Sequence, residues 1–119
     1  MGFGFEDLEV WNKAVQFAED IITLTEDLNT DRKHYRLVEN LESSAVSIAS
    51  NIAEGKGRYS KKEFIKFLYI ARGSLYETVT SLVIFKNKEW ITMADYNRLI
   101  SKAEEIVKMI VGLINSINK

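Results

Sequence analysis

The sequence predicts an all-α fold, an antiparallel up-down-up-down four-helix bundle formed as one domain over residues 1–119. Three observations predict it. Apolar residues recur at intervals of three and four in four separate stretches, the period of a helix with one buried face. No stretch alternates with the period of two that a half-buried strand requires. The connections between the stretches are short, which sets successive helices side by side and antiparallel. With 119 residues, 46% of them apolar, the chain suits one domain with one core.

In the first helix Leu8, Trp11, Val15, Ala18, Ile22 and Thr25 form one stripe. Ala14, Phe17, Ile21, Leu24 and Leu28 form a second beside it. Two adjacent stripes make the wide apolar face a bundle helix needs. Asp7 is placed to cap the N-terminus by accepting backbone N–H bonds. Asn29, Thr30, Asp31, Arg32 and Lys33 form a polar connection.

The second helix is expected from about Leu37 to Glu54, with Leu37, Leu41, Ala45, Ile48 and Ile52 toward the core. Another of its faces carries Asn40, Ser43, Ser44, Ser47, Ser50 and Asn51. Serine is a mediocre helix former, so the run needs a reason. Small side chains let two helix backbones approach closely; a ligand groove along the serines is the functional counterpart. Gly55 and Gly57 read as helix termination through the left-handed conformation open to glycine.

Ser60 and Glu63 have the spacing of a capping box. The third helix then carries Phe64, Leu68, Ala71, Leu75, Thr78, Leu82 and Phe85 toward the core. At about 26 residues it would be about 39 Å long. Gly73 and Ser74 interrupt it, and a glycine inside a helix costs about 1 kcal/mol relative to alanine. Close packing at Gly73 and Ser74, against the serine face of helix two, is the expected compensation. Thr92 and Asp95 open the fourth helix, which presents Tyr96, Leu99, Ile100, Ala103, Ile106, Val107, Ile110, Ile114 and Ile117.

Composition excludes most familiar chemistry. The chain has no cysteine, hence no disulfide, thiol nucleophile or cysteine-ligated zinc. Its one histidine, His34, reads as a surface residue, and no Glu-x-x-His pair exists for a di-iron site. No metal, cofactor or catalytic residue is expected, and the chain is read as no enzyme. Asn51, Glu54 and Glu77 are the residues a hydrolytic or small-molecule site would use, provided they converge. The structural counterpart is that the two carboxylates cap a helix end or pair with Arg58 or Arg72. The run from Asn51 to Arg58 is not a phosphate loop, because no strand precedes it and its glycine spacing is wrong.

Lys56, Arg58, Lys61, Lys62 and Lys66 form the densest basic cluster, with Tyr59, Phe64 and Tyr69 interleaved. Such a cluster can hold phosphates without sequence preference, so RNA or DNA is a candidate partner and a protein partner the other. Cations at a helix start oppose the helix dipole, which favours a functional reason for Lys61 and Lys62. Charge is also split along the chain. Residues 1–31 hold eight acidic residues and Lys13 alone, net −7; residues 32–119 hold fifteen Lys/Arg and nine Asp/Glu, net +6. A split of this kind marks either a nucleic-acid face or complementary faces that meet in an oligomer. No secretory signal is visible, and no apolar run approaches the ~20 residues that span a bilayer. A cytoplasmic setting without membrane association is expected.

Ser47-Ile48, Asn51 through Gly55, Gly57-Arg58, Glu63-Phe64, Phe67-Leu68 and the run Ala71, Gly73, Ser74, Glu77 together form a specific pattern. Asp7-Leu8, Val10-Trp11, Tyr35 and Leu37 extend it. The pattern resembles the 23S rRNA intervening-sequence protein family over nearly the whole chain. The resemblance implies an antiparallel four-helix bundle that assembles into a homopentamer and has no settled function. It gives Asn51, Glu54, Gly55, Gly57, Arg58, Gly73, Ser74 and Glu77 a structural role as family-motif positions. A related protein, the accessory variability determinant of diversity-generating retroelements, is a basic pentamer that binds nucleic acid and a reverse transcriptase. Here Asn40, Glu42 and Ser43 stand where members commonly have glutamine and two arginines. Val38 and Ala49 replace a common threonine and proline. Loss of the two arginines weakens any nucleic-acid surface on helix two, and a pI of ≈ 5.9 acts in the same direction. The expected function is a non-enzymatic homo-oligomeric scaffold or adaptor that contacts RNA or DNA through the basic cluster, the alternatives being the small-molecule site and a purely structural assembly.

Overall fold

Four helices follow from the four apolar stretches. The computed structural model describes residues 2–30 and 34–119; Asp31, Arg32 and Lys33 of the expected polar connection lie outside it. A short 3-10 helix, Gly4–Asp7, precedes α1 (Glu9–Thr25), α2 (Tyr35–Lys56), α3 (Lys61–Asn87) and α4 (Met93–Ile117). No described residue is in a strand.

Paired side chains fix the direction of each helix. Thr25, at the end of α1, donates a 2.6 Å hydrogen bond to Glu42 in the first half of α2. At the other end of the same pair, Trp11 of α1 and Ala53 of α2 line one trough. Between α2 and α3, Ser44 meets Thr78 and Ser47 meets Ser74, so one number rises as the other falls. Between α1 and α4, Lys13 pairs with Glu105, and Asp20 with Arg98 and Lys102. All three pairs are therefore antiparallel, and α3 must be antiparallel to α4. Among the described residues the backbones of α1 and α3, and those of α2 and α4, do not approach each other. The helices stand in a square in chain order, up-down-up-down.

The core lies on the axis of this square. Phe17 and Ile21 from α1, Leu41, Ile48 and Ile52 from α2, Leu68, Leu75, Leu82 and Phe85 from α3, and Leu99, Ile106 and Ile110 from α4 are almost wholly buried. Full burial of one such side chain contributes about 1.5–3 kcal/mol. Leu37, expected in the core, is 42% exposed: it lies in the first turn of α2, beyond the reach of the facing helices. Trp90 and Ile91, in the connection between α3 and α4, are buried and close that end. Trp90 packs edge-on to Phe85 and stacks on His34 at 4.2 Å. His34 is thus half-buried against a ring rather than a free surface residue. Glu89, beside Trp90, takes a left-handed φ of 62°, which turns the chain back into the core.

The helix ends differ from expectation in two places. Asp7 does not cap α1. It ends the 3-10 helix, and Leu8 stands at the N-cap without a side-chain bond. Gly55 and Gly57 do not stop α2 through left-handed backbone. No described glycine has a positive φ, and the helix runs on to Lys56, with Gly57 at φ −79°. The other two starts follow the sequence: Ser60 accepts from the Glu63 N–H and Thr92 from the Asp95 N–H, both at 3.1 Å.

Candidate nucleic-acid interface

The α2–α3 contact positions Gly55 and Ser74. Gly55 is buried inside α2, and a Cβ there would lie 2.8 Å from the Phe67 Cβ and 3.2 Å from the Phe64 carbonyl oxygen. Glycine is present because α3 passes too close for any side chain. The serine run serves the same approach over part of its length. Ser44 Oγ and Thr78 Oγ1 lie 2.8 Å apart, and Ser47 Oγ and Ser74 Oγ 2.9 Å. Ser44 also reaches the Leu41 carbonyl, and Thr78 the Ser74 carbonyl. No buried side-chain polar atom among the described residues lacks a partner. The run is not one surface, however. Asn40, Ser43, Ser44 and Ser47 line one open groove with Ser74, Tyr76, Glu77 and Thr80, the groove expected along the serines, whereas Ser50 belongs to the α1 side.

Gly73 is where the structure departs most from expectation. Its position on α3 is exposed, and a Cβ there would meet nothing within 4 Å. Close approach to α2 is made by Ser74, one residue on.

Asn51, Glu54 and Glu77 do not come together. Asn51 Nδ2 donates to the carbonyl and the hydroxyl of Ser47 on its own helix. Glu54 is exposed and pairs with Arg58 at 3.2 Å, one turn along the chain. Glu77 has no ion-pair partner among the described residues and lies level with Ser44 on α2. Nine or ten residues of helix separate that level from Glu54, about 14 Å. Acid–base chemistry by the two carboxylates needs a shared site that this arrangement does not provide. Among the described residues no cluster of acidic and histidine side chains suits a metal ion.

Lys56, Arg58, Lys61, Lys62 and Lys66 do come together, at the end of the bundle where α2 gives way to α3. All five are exposed. The turn between the helices is short, so the last turn of α2 and the first of α3 bring their cations to one end of the bundle. Two phenylalanines form the base. Lys56 Nζ lies 5.9 Å over Phe64, Arg58 4.8 Å over Phe67, and Lys66 Nζ 5.9 Å over Phe67. These stacks hold the stems while leaving the charges in solvent. Arg58 alone is engaged by a carboxylate; the other four have none among the described residues. Tyr59, at the tip, is fully exposed. The sequence marked the cations but not the role of Phe64 and Phe67, whose spacing of three beside the cations is the signal that could have shown it.

A search of curated proteins gives no match. A crystal structure of a protein with unknown function from the S23 ribosomal protein family of Bacteroides thetaiotaomicron VPI-5482 superposes with a TM-score of 0.82, at 30% identity, covering 88% of this chain and 97% of that one. The family model of the 23S rRNA-intervening sequence protein matches residues 6–112. Those residues hold the Gly55 contact, the serine pairs and the basic turn, and the chain belongs to the 23S rRNA-intervening sequence protein family.

Proposed function

We propose that this protein is a non-enzymatic homo-oligomeric scaffold or adaptor, pentameric as its family resemblance implies, which contacts RNA or DNA through Lys56, Arg58, Lys61, Lys62 and Lys66. The observation that supports it is the cation cluster, with four of its five charges unpaired among the described residues and based on aromatic rings. Unpaired cations in solvent are what a phosphate backbone recruits, and release of its counterions drives the binding. Contacts made by cations to phosphates carry no sequence information, so the binding proposed is indifferent to sequence. No described helix is long and apolar enough to cross a membrane; a cytoplasmic location accords with this reading.

Anisotropy of a labelled single-stranded RNA and a labelled DNA duplex, titrated with the purified protein, tests the contact. Five phosphate contacts predict an affinity that falls by about two to three orders of magnitude between about 50 and 200 mM salt. The double variant Lys61→Glu/Lys62→Glu should weaken binding and flatten that salt dependence. Absence of binding at the lower salt overturns the nucleic-acid contact and leaves a protein-binding scaffold. Light scattering at micromolar concentration tests the oligomer, which a protomer mass refutes.

A further inference from the structure

The protomer leaves two complementary surfaces uncovered. The first is an apolar trough of about 400 Å³ between α1 and α2. Trp11, Val15 and Ile22 form one wall and Val46 the other, over a floor of Ala18 and Ala49, and Phe5 of the 3-10 helix closes one end against Trp11. Ile22 is 38% exposed and Val46 43%, although both continue the apolar faces of their helices. The rim is acidic, with Glu19 on α1 and Glu39 and Glu42 on α2 where the trough continues. Glu19 and Glu39 have no ion-pair partner among the described residues.

The second surface is a ridge on α3. Tyr69, Gly73 and Tyr76 are spaced four and three apart, along one line of the helix. Tyr69 is 46% exposed and Tyr76 53%. The Arg72 guanidinium stacks 4.8 Å from the first ring and 5.7 Å from the second, with no carboxylate partner among the described residues. Gly73 leaves a notch between the rings. A helix-interior glycine costs about 1 kcal/mol, and nothing within the protomer requires this one. A notch of this kind lets a second chain come against the helix.

We propose that the α3 ridge of one copy seats in the α1–α2 trough of a second copy of this chain. The proposal rests on the oligomeric reading above and names its contact. A convex aromatic strip meets a concave apolar one, and Arg72 arrives opposite the unpaired Glu19 and Glu39. Ridge and trough are different parts of the chain, so the contact is head-to-tail. Every ridge and every trough is filled only when the copies close into a ring.

Two variants test it, Val46→Glu in the trough and Tyr76→Glu on the ridge. Both positions are exposed in the protomer, so helical circular dichroism should match the parent protein, with a cooperative melt whose Tm is lower by what assembly contributes to the parent. Light scattering after size exclusion should show the parent as an oligomer and each variant at the protomer mass. An equimolar mixture at the highest soluble concentration should give twice the protomer mass and nothing larger. One intact ridge then finds one intact trough, and the pair cannot extend. A variant that keeps the parent's mass, or two protomeric variants that do not pair, overturns the assignment and leaves the oligomer standing. A parent at the protomer mass overturns the oligomeric reading itself, and this contact with it. Should either glutamate variant fail to fold, Arg72→Glu and Glu19→Arg replace them. Arg72→Glu alone should lower the oligomer fraction at least tenfold and the pair of changes should restore it; no loss, or loss without restoration, overturns the contact.

Discussion

A methyl group at position 55 would lie 2.8 Å from the Cβ of Phe67 and 3.0 Å from a ring carbon of Phe64. The neighbours are a side-chain root and a ring, which cannot swing away without moving α3. Gly55→Ala should therefore destabilise by about 1–3 kcal/mol, read as a lower urea midpoint at unchanged slope. Gly112 is the opposite case. It lies inside α4, exposed, and a Cβ there meets nothing within 4 Å. Gly112→Ala should stabilise by about 0.5–1 kcal/mol in the same measurement, by restricting the unfolded chain and favouring the helix. At the N-caps, Ser60→Ala and Thr92→Ala each free a backbone N–H now held at 3.1 Å and should cost about 1 kcal/mol. The three kinds of site look alike in sequence, as small or polar residues in helices, and differ only in what stands beside them.

Helix pairs are held by different physics on different sides of the square. Between α2 and α3 the hydroxyls of Ser44 and Thr78 meet at 2.8 Å in a buried contact. Each hydroxyl has one proton, so one donates across the contact while the other donates to a carbonyl of its own helix, and either can turn to its own carbonyl when its partner is lost. Ser44→Ala combined with Thr78→Val should cost less than the two single changes together, with a coupling of about 0.5–1.5 kcal/mol in a double-mutant cycle. Between α1 and α4 the links are surface ion pairs, of which Lys13 with Glu105 at 3.0 Å is one. The hydrogen bond to Glu105, assisted by its charge, raises the Lys13 pKa above the ordinary 10.5. The contribution is fully present below that ordinary value and is lost as pH rises through the raised one. Lys13→Met should leave a protein whose Tm declines less between pH 10 and the alkaline end of the scan than that of the parent, with exposure keeping the effect small.

At the scale of the whole molecule, the four helices, their order and nearly all of the core were legible in the residues. The apolar period of Leu68, Ala71, Leu75, Thr78, Leu82 and Phe85 allows one buried face, and all six are buried. Leu37 and Gly73 were misplaced because periodicity gives the angle of a residue around its helix but not whether a neighbour reaches that height. Gly55 read as a stop because a glycine near a helix end has two uses, a left-handed turn and a close crossing, and only α3 shows which applies. The same division holds for the sites. The basic cluster was visible as a run of lysines and arginines, since all of it lies within one turn and its flanks. The trough was not, because Trp11, Val15, Ile22 and Val46 follow the helical period as core residues do. Their partial exposure appears only when α1 and α2 are set side by side, with the 3-10 helix covering one end of the seam through Phe5 and nothing over the rest. The sequence by itself determined the helices, their polarity and the family, because these depend on local period, capping and motif order. Only the tertiary structure decided which apolar and small residues are left without a neighbour, because that depends on the distances between helices remote in the chain.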